Sequence, residues 1–124
     1  MITFDDVSKS YPNGHQALSH VSLHVDAGEM IFVTGHSGAG KSTVFSLLLR
    51  FHDPDSGAID IDGVDIRTLD PAELRGAIAL VPQSPTIFAA SAADNIRYGR
   101  PEASDADIRR AAEAAEADAF LDAL

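Results

Sequence analysis

The sequence predicts an α/β protein in which an antiparallel β portion precedes an incomplete parallel core sheet carrying helices. Three observations lead there. The chain opens with residues that alternate between apolar and polar, as Val21, Leu23 and Val25 do with Ser22, His24 and Asp26. Two short uninterrupted apolar runs follow, "MIFVTG" at 30–35 and "AIALV" at 77–81. That is the pattern of strands buried on both faces. Helix signals lie between and after these runs.

The elements follow in order. "ITFDDVSKSY" and "ALSHVSLHV" are expected as strands, joined at Asn13-Gly14, a strong tight-turn dipeptide. Asp26-Ala27-Gly28 is a second turn before the first buried run. Lys41 to Phe51 is expected as a helix, apolar nearly all round through Val44, Phe45, Leu47, Leu48, Leu49 and Phe51, and therefore deeply packed. Asp53-Pro54-Asp55-Ser56-Gly57 ends it. "AIDIDGVDI" is expected as a hairpin turning at Asp62-Gly63. Asp70-Pro71-Ala72-Glu73 starts a helix, with a capping carboxylate, a first-turn proline and a glutamate reaching back. Pro82 stops the second buried run. Ser91 caps a short helix through Tyr98. Ser104 caps an alanine-rich helix running to about Leu121, with Asp105 and Asp107 favoured by the helix dipole in its first turn.

At 124 residues the chain is long enough for one domain with a core, and its formal net charge is −10. No basic stripe is present, which argues against a nucleic-acid partner. Without cysteine there is no disulfide framework and no thiolate metal site. No apolar run approaches the length of a membrane span, so a soluble intracellular protein is expected. Charge is uneven: residues 1–52 carry a net −1 and residues 53–124 a net −9.

The chemistry concentrates at Gly35-His36-Ser37-Gly38-Ala39-Gly40-Lys41-Ser42, which matches G-x-x-x-x-G-K-[ST] in full. It lies between an expected strand and an expected helix, as a phosphate cradle requires. Glycines let the backbone wrap closely enough for several N–H groups to face one anion. The helix N-terminus adds partial positive charge. Lys41 supplies a full charge for the β and γ phosphates, Ser42 a hydroxyl for Mg²⁺, and Thr43 a hydroxyl within reach of the α phosphate.

Together with Tyr11 upstream and "LVPQ" ending at Gln83, this loop resembles the nucleotide-binding domain of ABC transporters over essentially the whole chain. "LLLRFHDPDSGAIDIDGVDI" and "IFAASAADNIRYGRP" are similar to the exporter branch. "MITFDDVSKSYPNGHQAL" and "GEMIFVTGHSGAGKST" look more like the cell-division ABC ATPase. The mixed likeness and the charge shift suggest a chimera or a truncated domain.

The resemblance implies a P-loop NTPase fold of the ABC ATPase type. Residues 1–30 and 57–67 would form the antiparallel portion, 31–52 and 70–83 the P-loop core, and 84–124 the start of the helical subdomain. It implies ATP or ADP with Mg²⁺, held by Gly35, Ser37, Gly38, Ala39, Gly40, Lys41, Ser42 and Thr43. Tyr11 would stack on adenine, and Ser42 and Gln83 would contact Mg²⁺, with Gln83 also near the attacking water. It further implies a transporter's membrane domain as partner, a cytoplasmic position peripheral to the membrane, and either a homodimer or a complementing C-terminal fragment.

Hydrolysis in such an enzyme needs an acid at the end of a buried strand for Mg²⁺ and a carboxylate to orient water. No apolar run after Gln83 ends in Asp-Glu, and the serine-glycine-glycine signature and switch histidine of the family are not found in these residues. Nucleotide binding with little or no hydrolysis is therefore expected, the alternatives being a working ATPase, complemented in trans or using a substitute magnesium acid such as Asp94, and a relic or engineered fragment that binds only phosphate. The strands expected beside the two buried runs are missing as well, so unpaired edges are expected. His20 and His24 would lie about 13 Å apart on a strand, too far for one metal. Asp60, Asp62 and Asp65 do not keep the register of a calcium loop, because Leu69 stands where a bidentate glutamate belongs. His36 lies inside the cradle with no expected catalytic role.

Overall fold

The computed structural model describes residues 1–82 and 84–121. It divides into two compact units, Met1–Leu80 and Val81–Leu124. Among the described residues, no helix is long and apolar enough to cross a membrane.

The first unit is built on a four-stranded antiparallel sheet in the order β2-β1-β3-β4. Its strands are β1 (Ile2–Ser10), β2 (Gln16–Val25), β3 (Ser56–Ile61) and β4 (Val64–Asp65). The expected turns at Asn13-Gly14 and Asp62-Gly63 join β1 to β2 and β3 to β4. The β1–β2 pairing shifts register at three places the alternation pattern did not disclose, and at two of them the extra residue, Asp6 or His20, adopts φ of 50°. Each bulged N–H finds a serine on the other strand: Asp6 N donates to Ser22 Oγ at 3.0 Å and His20 N to Ser8 Oγ at 3.0 Å.

One face of the sheet supplies Phe4, Val7, Leu18 and Ile59 to the core. Helix α1 (Lys41–Leu48) packs on it through Leu47, a 3₁₀ turn at Ile66–Thr68 through Ile66, and α2 (Pro71–Gly76) through Leu74. α2 starts as expected, with Asp70 accepting from Ala72 N and Pro71 in the first turn.

α1 is shorter and less buried than its composition suggested. It ends in a Schellman motif: Arg50 takes φ 52°, Arg50 N donates to Leu47 O and Phe51 N to Ser46 O. Thr43, Leu47 and Leu49 are buried, while Phe45 and Phe51 are 44% and 60% exposed.

The two apolar runs are where the structure departs most from expectation. Neither is a strand, and the described residues contain no parallel pairing. Along "MIFVTG", exposure alternates at 80, 44, 83 and 40% for Met30, Ile31, Phe32 and Val33. Ile31 and Val33 border an apolar recess of about 250 Å³ shared with Phe4, Leu23, Phe45 and Leu48. One side of the run is therefore only partly shielded and the other is open. Continuous hydrophobicity reports the capacity to be buried on two faces, but burial needs a neighbour on each. In "AIALV", Ile78 packs against the core, whereas Leu80 is half exposed.

The second unit contains α3 (Ala92–Arg97), α4 (Asp105–Ala114) and α5 (Asp118–Leu121). Ser91 and Ser104 cap α3 and α4 as expected, the latter in a full capping box with Asp107. The single helix expected to run from Ser104 to about Leu121 is interrupted. Glu116 takes φ 54°, with Glu116 N donating to Glu113 O and Ala117 N to Ala112 O, a second Schellman stop made without glycine.

Candidate functional site

The loop after the first apolar run is shaped by three glycines with positive φ: Gly35 at 152°, Gly38 at 84° and Gly40 at 85°. Gly40 caps the N-terminus of α1 with no side-chain hydrogen bond, which leaves first-turn N–H groups to a ligand. It is also pressed against β2: a Cβ there would lie 2.3 Å from Ala17 O and 2.9 Å from Leu18 Cδ2. Only glycine lets the helix start this close to the strand. Gly35 faces Ala39, where a Cβ would lie 2.9 Å from the alanine's own, so the loop closes on itself.

Lys41 turns back over this loop. Its Nζ donates to Gly35 O at 2.5 Å and to His36 O at 2.8 Å. The ammonium therefore sits at the mouth of the glycine loop and at the positive end of α1, where an anion gains from both. Ser42 is exposed in the first turn of the helix. Thr43 is buried, and its hydroxyl shares a 3.3 Å hydrogen bond with Tyr11 Oη.

Tyr11, half-buried, follows β1 and closes the hairpin through Tyr11 N to His15 O. Its ring meets His52 edge to face, with centroids 5.6 Å apart and planes at 86°. The structure thus brings Tyr11 to Thr43, at the end of the stretch that carries Gly35, Ser37, Gly38, Ala39, Gly40, Lys41 and Ser42. Gln83 lies outside the described residues.

Two supports were not visible in the sequence because they join residues far apart in it. Lys9 Nζ donates to Asp53 O and to Asp55 Oδ1, each at 2.8 Å, and Ser10 N donates to Asp55 Oδ2 at 2.6 Å. The Lys9 hydrogen bond first, then that of Ser10, holds the Asp55 carboxyl below its ordinary value. Arg75 caps the far end of α1, donating from Nε to Leu49 O at 2.9 Å and from Nη2 to Arg50 O at 3.0 Å. Its guanidinium also lies 5.0 Å from the centre of the Phe51 ring.

The remaining titratable clusters are occupied elsewhere. His20 pairs with Asp6, whereas His24 contacts Thr3 and Asp26. Asp62 receives the N-terminal amine and Asp65 pairs with Arg67. Asp94 accepts from Ser91 Oγ at 2.6 Å and pairs with Arg97 in the first turn of α3. No group of three or more His, Asp or Glu suited to a metal ion occurs among the described residues.

This donor set fits a nucleotide's phosphates. Lys41 and the first-turn N–H groups of α1 would hold phosphate oxygens, and the exposed Ser42 hydroxyl would face a magnesium ion. When bound, that ion neutralises phosphate charge. The chain's own part would be to orient the phosphates over the helix N-terminus.

A glycine-lined anion cradle opening a helix beside an antiparallel sheet defines a phosphate-binding module. The ABC transporter family model matches residues 18–124, and the chain belongs to that family, in its ATP-binding domain. It is 49% identical over 123 residues to the mitochondrial potassium channel ATP-binding subunit of Xenopus tropicalis, covering 97% of this chain and 18% of that protein. It is 46% identical to the ABC transporter ATP-binding protein YfiC of Bacillus subtilis, covering 99% of this chain and 20% of that protein. A bacterial Atm1-family ABC exporter solved with ATP bound superposes with a TM-score of 0.90 at 41% identity, covering 99% of this chain and 22% of that one. The chain spans about a fifth of the length of the curated relatives it matches. A single relative accounts for both the first and the second part of the sequence.

Proposed function

We propose that this chain binds Mg-ATP or Mg-ADP through Gly35 to Thr43, with Tyr11 as the platform for the base. It hydrolyses the nucleotide little or not at all by itself. The carrying observation is the placement of the Lys41 ammonium on Gly35 O and His36 O at the N-terminus of a helix whose cap has no side-chain bond. Loop carbonyls hold that ammonium where phosphate oxygens would take it over. Weak hydrolysis follows from the lack, in these 124 residues, of an apolar run ending in adjacent acids. Asp94 is not a ready substitute, because its carboxylate is engaged by Ser91 and Arg97. Gln83 is proposed as the contact to Mg²⁺ or to the attacking water. In a whole transporter the module would work beside a membrane domain, on its cytoplasmic face, paired with a second nucleotide-binding domain.

The test is a titration with a fluorescent ATP analogue, with and without Mg²⁺, using Lys41→Ala as the control. Binding that falls at least about tenfold in the variant is expected from the loss of a charge-assisted phosphate contact. Equal binding by both proteins would overturn the proposal. Phosphate release above the Lys41→Ala background would overturn the statement on hydrolysis alone.

A further inference from the structure

His52 has no part in the phosphate loop, yet the fold builds a turn that holds it. Arg50 leaves α1 through a positive φ of 52°, and its guanidinium donates to Leu69 O at 2.9 Å. Phe51 N donates back to Ser46 O. Past His52, Lys9 takes Asp53 O, the Asp55 carboxylate receives Lys9 and Ser10 N, and Asp55 N donates to Ser8 O at 2.9 Å. Residues 50–55 are thus tied to the helix on one side of His52 and to β1 on the other. The imidazole held between these ties meets the Tyr11 ring edge to face at 5.6 Å. Tyr11 is therefore engaged twice, at its ring by His52 and at its hydroxyl by the buried Thr43.

A base stacking on an aromatic ring gains most when that ring is already oriented, because ordering a free side chain on binding costs affinity. We infer that His52 is a positioning residue for the base platform. It presets the Tyr11 ring, so that the affinity for the base, as distinct from the phosphates, depends on a residue outside the loop. The inference rests on the nucleotide-binding reading above. It adds a determinant that belongs to the turn between α1 and β3.

The experiment compares the full chain with His52→Ala, His52→Phe and Tyr11→Ala, using two probes: Mg-ATP and magnesium tripolyphosphate, which has no base. An edge-to-face pair is worth about two- to tenfold in affinity, so His52→Ala should weaken ATP binding by that factor. It should leave tripolyphosphate binding unchanged. His52→Phe, which keeps an aromatic edge, should restore ATP affinity. In the Tyr11→Ala background His52→Ala should have no further effect. Without any ligand, His52→Ala should shift the Tyr11 ring resonances and leave those of Tyr98 in place. Equal weakening toward both probes, or no weakening toward ATP, would overturn the inference while leaving nucleotide binding intact. Absence of ATP binding by the unaltered chain would instead remove the nucleotide reading itself. His52 is exposed, so the variants should keep the fold, and a thermal melt verifies it.

Discussion

Replacing Gly40 with alanine probes the joint on which the candidate site depends, where the first turn of α1 lies against β2. The substitution has two costs. Gly40 has φ 85°, and holding an alanine there costs about 1–2 kcal/mol. In addition, the new Cβ would lie 2.3 Å from Ala17 O and 2.9 Å from Leu18 Cδ2, so strand or helix must move by about 1 Å. Overpacking of this kind costs about 1–3 kcal/mol, giving about 2–5 kcal/mol in all. Gly38 is the internal control: its φ is 84°, but an added Cβ would meet nothing within 4 Å. Gly38→Ala should therefore show only the conformational cost. Urea unfolding followed by circular dichroism gives both values from the shift in midpoint at constant slope. A Gly40→Ala variant within about 0.5 kcal/mol of Gly38→Ala would refute the claim that contact with β2, and not backbone conformation alone, demands glycine there.

Leu47→Ala, at a fully buried position, should cost about 2–5 kcal/mol, whereas Phe45→Ala, at 44% exposure two residues away, should cost much less; urea midpoints decide. Arg75→Ala removes both donors from the C-terminal carbonyls of α1 and should cost about 1 kcal/mol after allowance for solvent, with Arg75→Lys recovering less than half, because a lysine cannot reproduce the two-point fork. Asp55 and Asp107 are held below the ordinary carboxylate value of 3.8, by hydrogen bonds from Lys9 and Ser104 respectively. Carboxylates with lowered folded values contribute stability that is complete above the unfolded value and is lost as pH falls through the folded one. Urea midpoints should thus drop below about pH 4, and Asp107→Asn should flatten that drop; an unchanged slope would show that the Ser104 capping box does not carry it.

The elements most legible in the sequence were those whose cause is local. A tight turn needs Asn13-Gly14 or Asp62-Gly63, and the caps at Asp70, Ser91 and Ser104 act on N–H groups two or three residues away. The glycine loop is legible for the same reason: eight consecutive residues contain its glycines, its lysine and its helix start. What could not be read were interactions between residues distant in the chain. Nothing near Lys9 announces that it anchors the turn at Asp53 and Asp55, and nothing near Arg75 announces that it caps α1. The stops at Arg50 and Glu116 were missed because left-handed φ at a charged residue has no sequence signal like that of glycine.

The sequence alone therefore determined the make-up of the glycine loop: its glycines, its lysine and its helix start are contiguous residues. Tertiary structure decided how far the apolar runs are covered and what steadies the residues around the cradle. Ile31 and Val33 turn toward a recess while Met30 and Phe32 stay exposed, an outcome set by which neighbours pack on the run and not by its hydrophobicity. Tyr11 meets Thr43 and His52, 32 residues and more along the chain, because β1 and α1 pack on one core. A local motif can specify a ligand, but only packing can set the orientation of the groups that meet it.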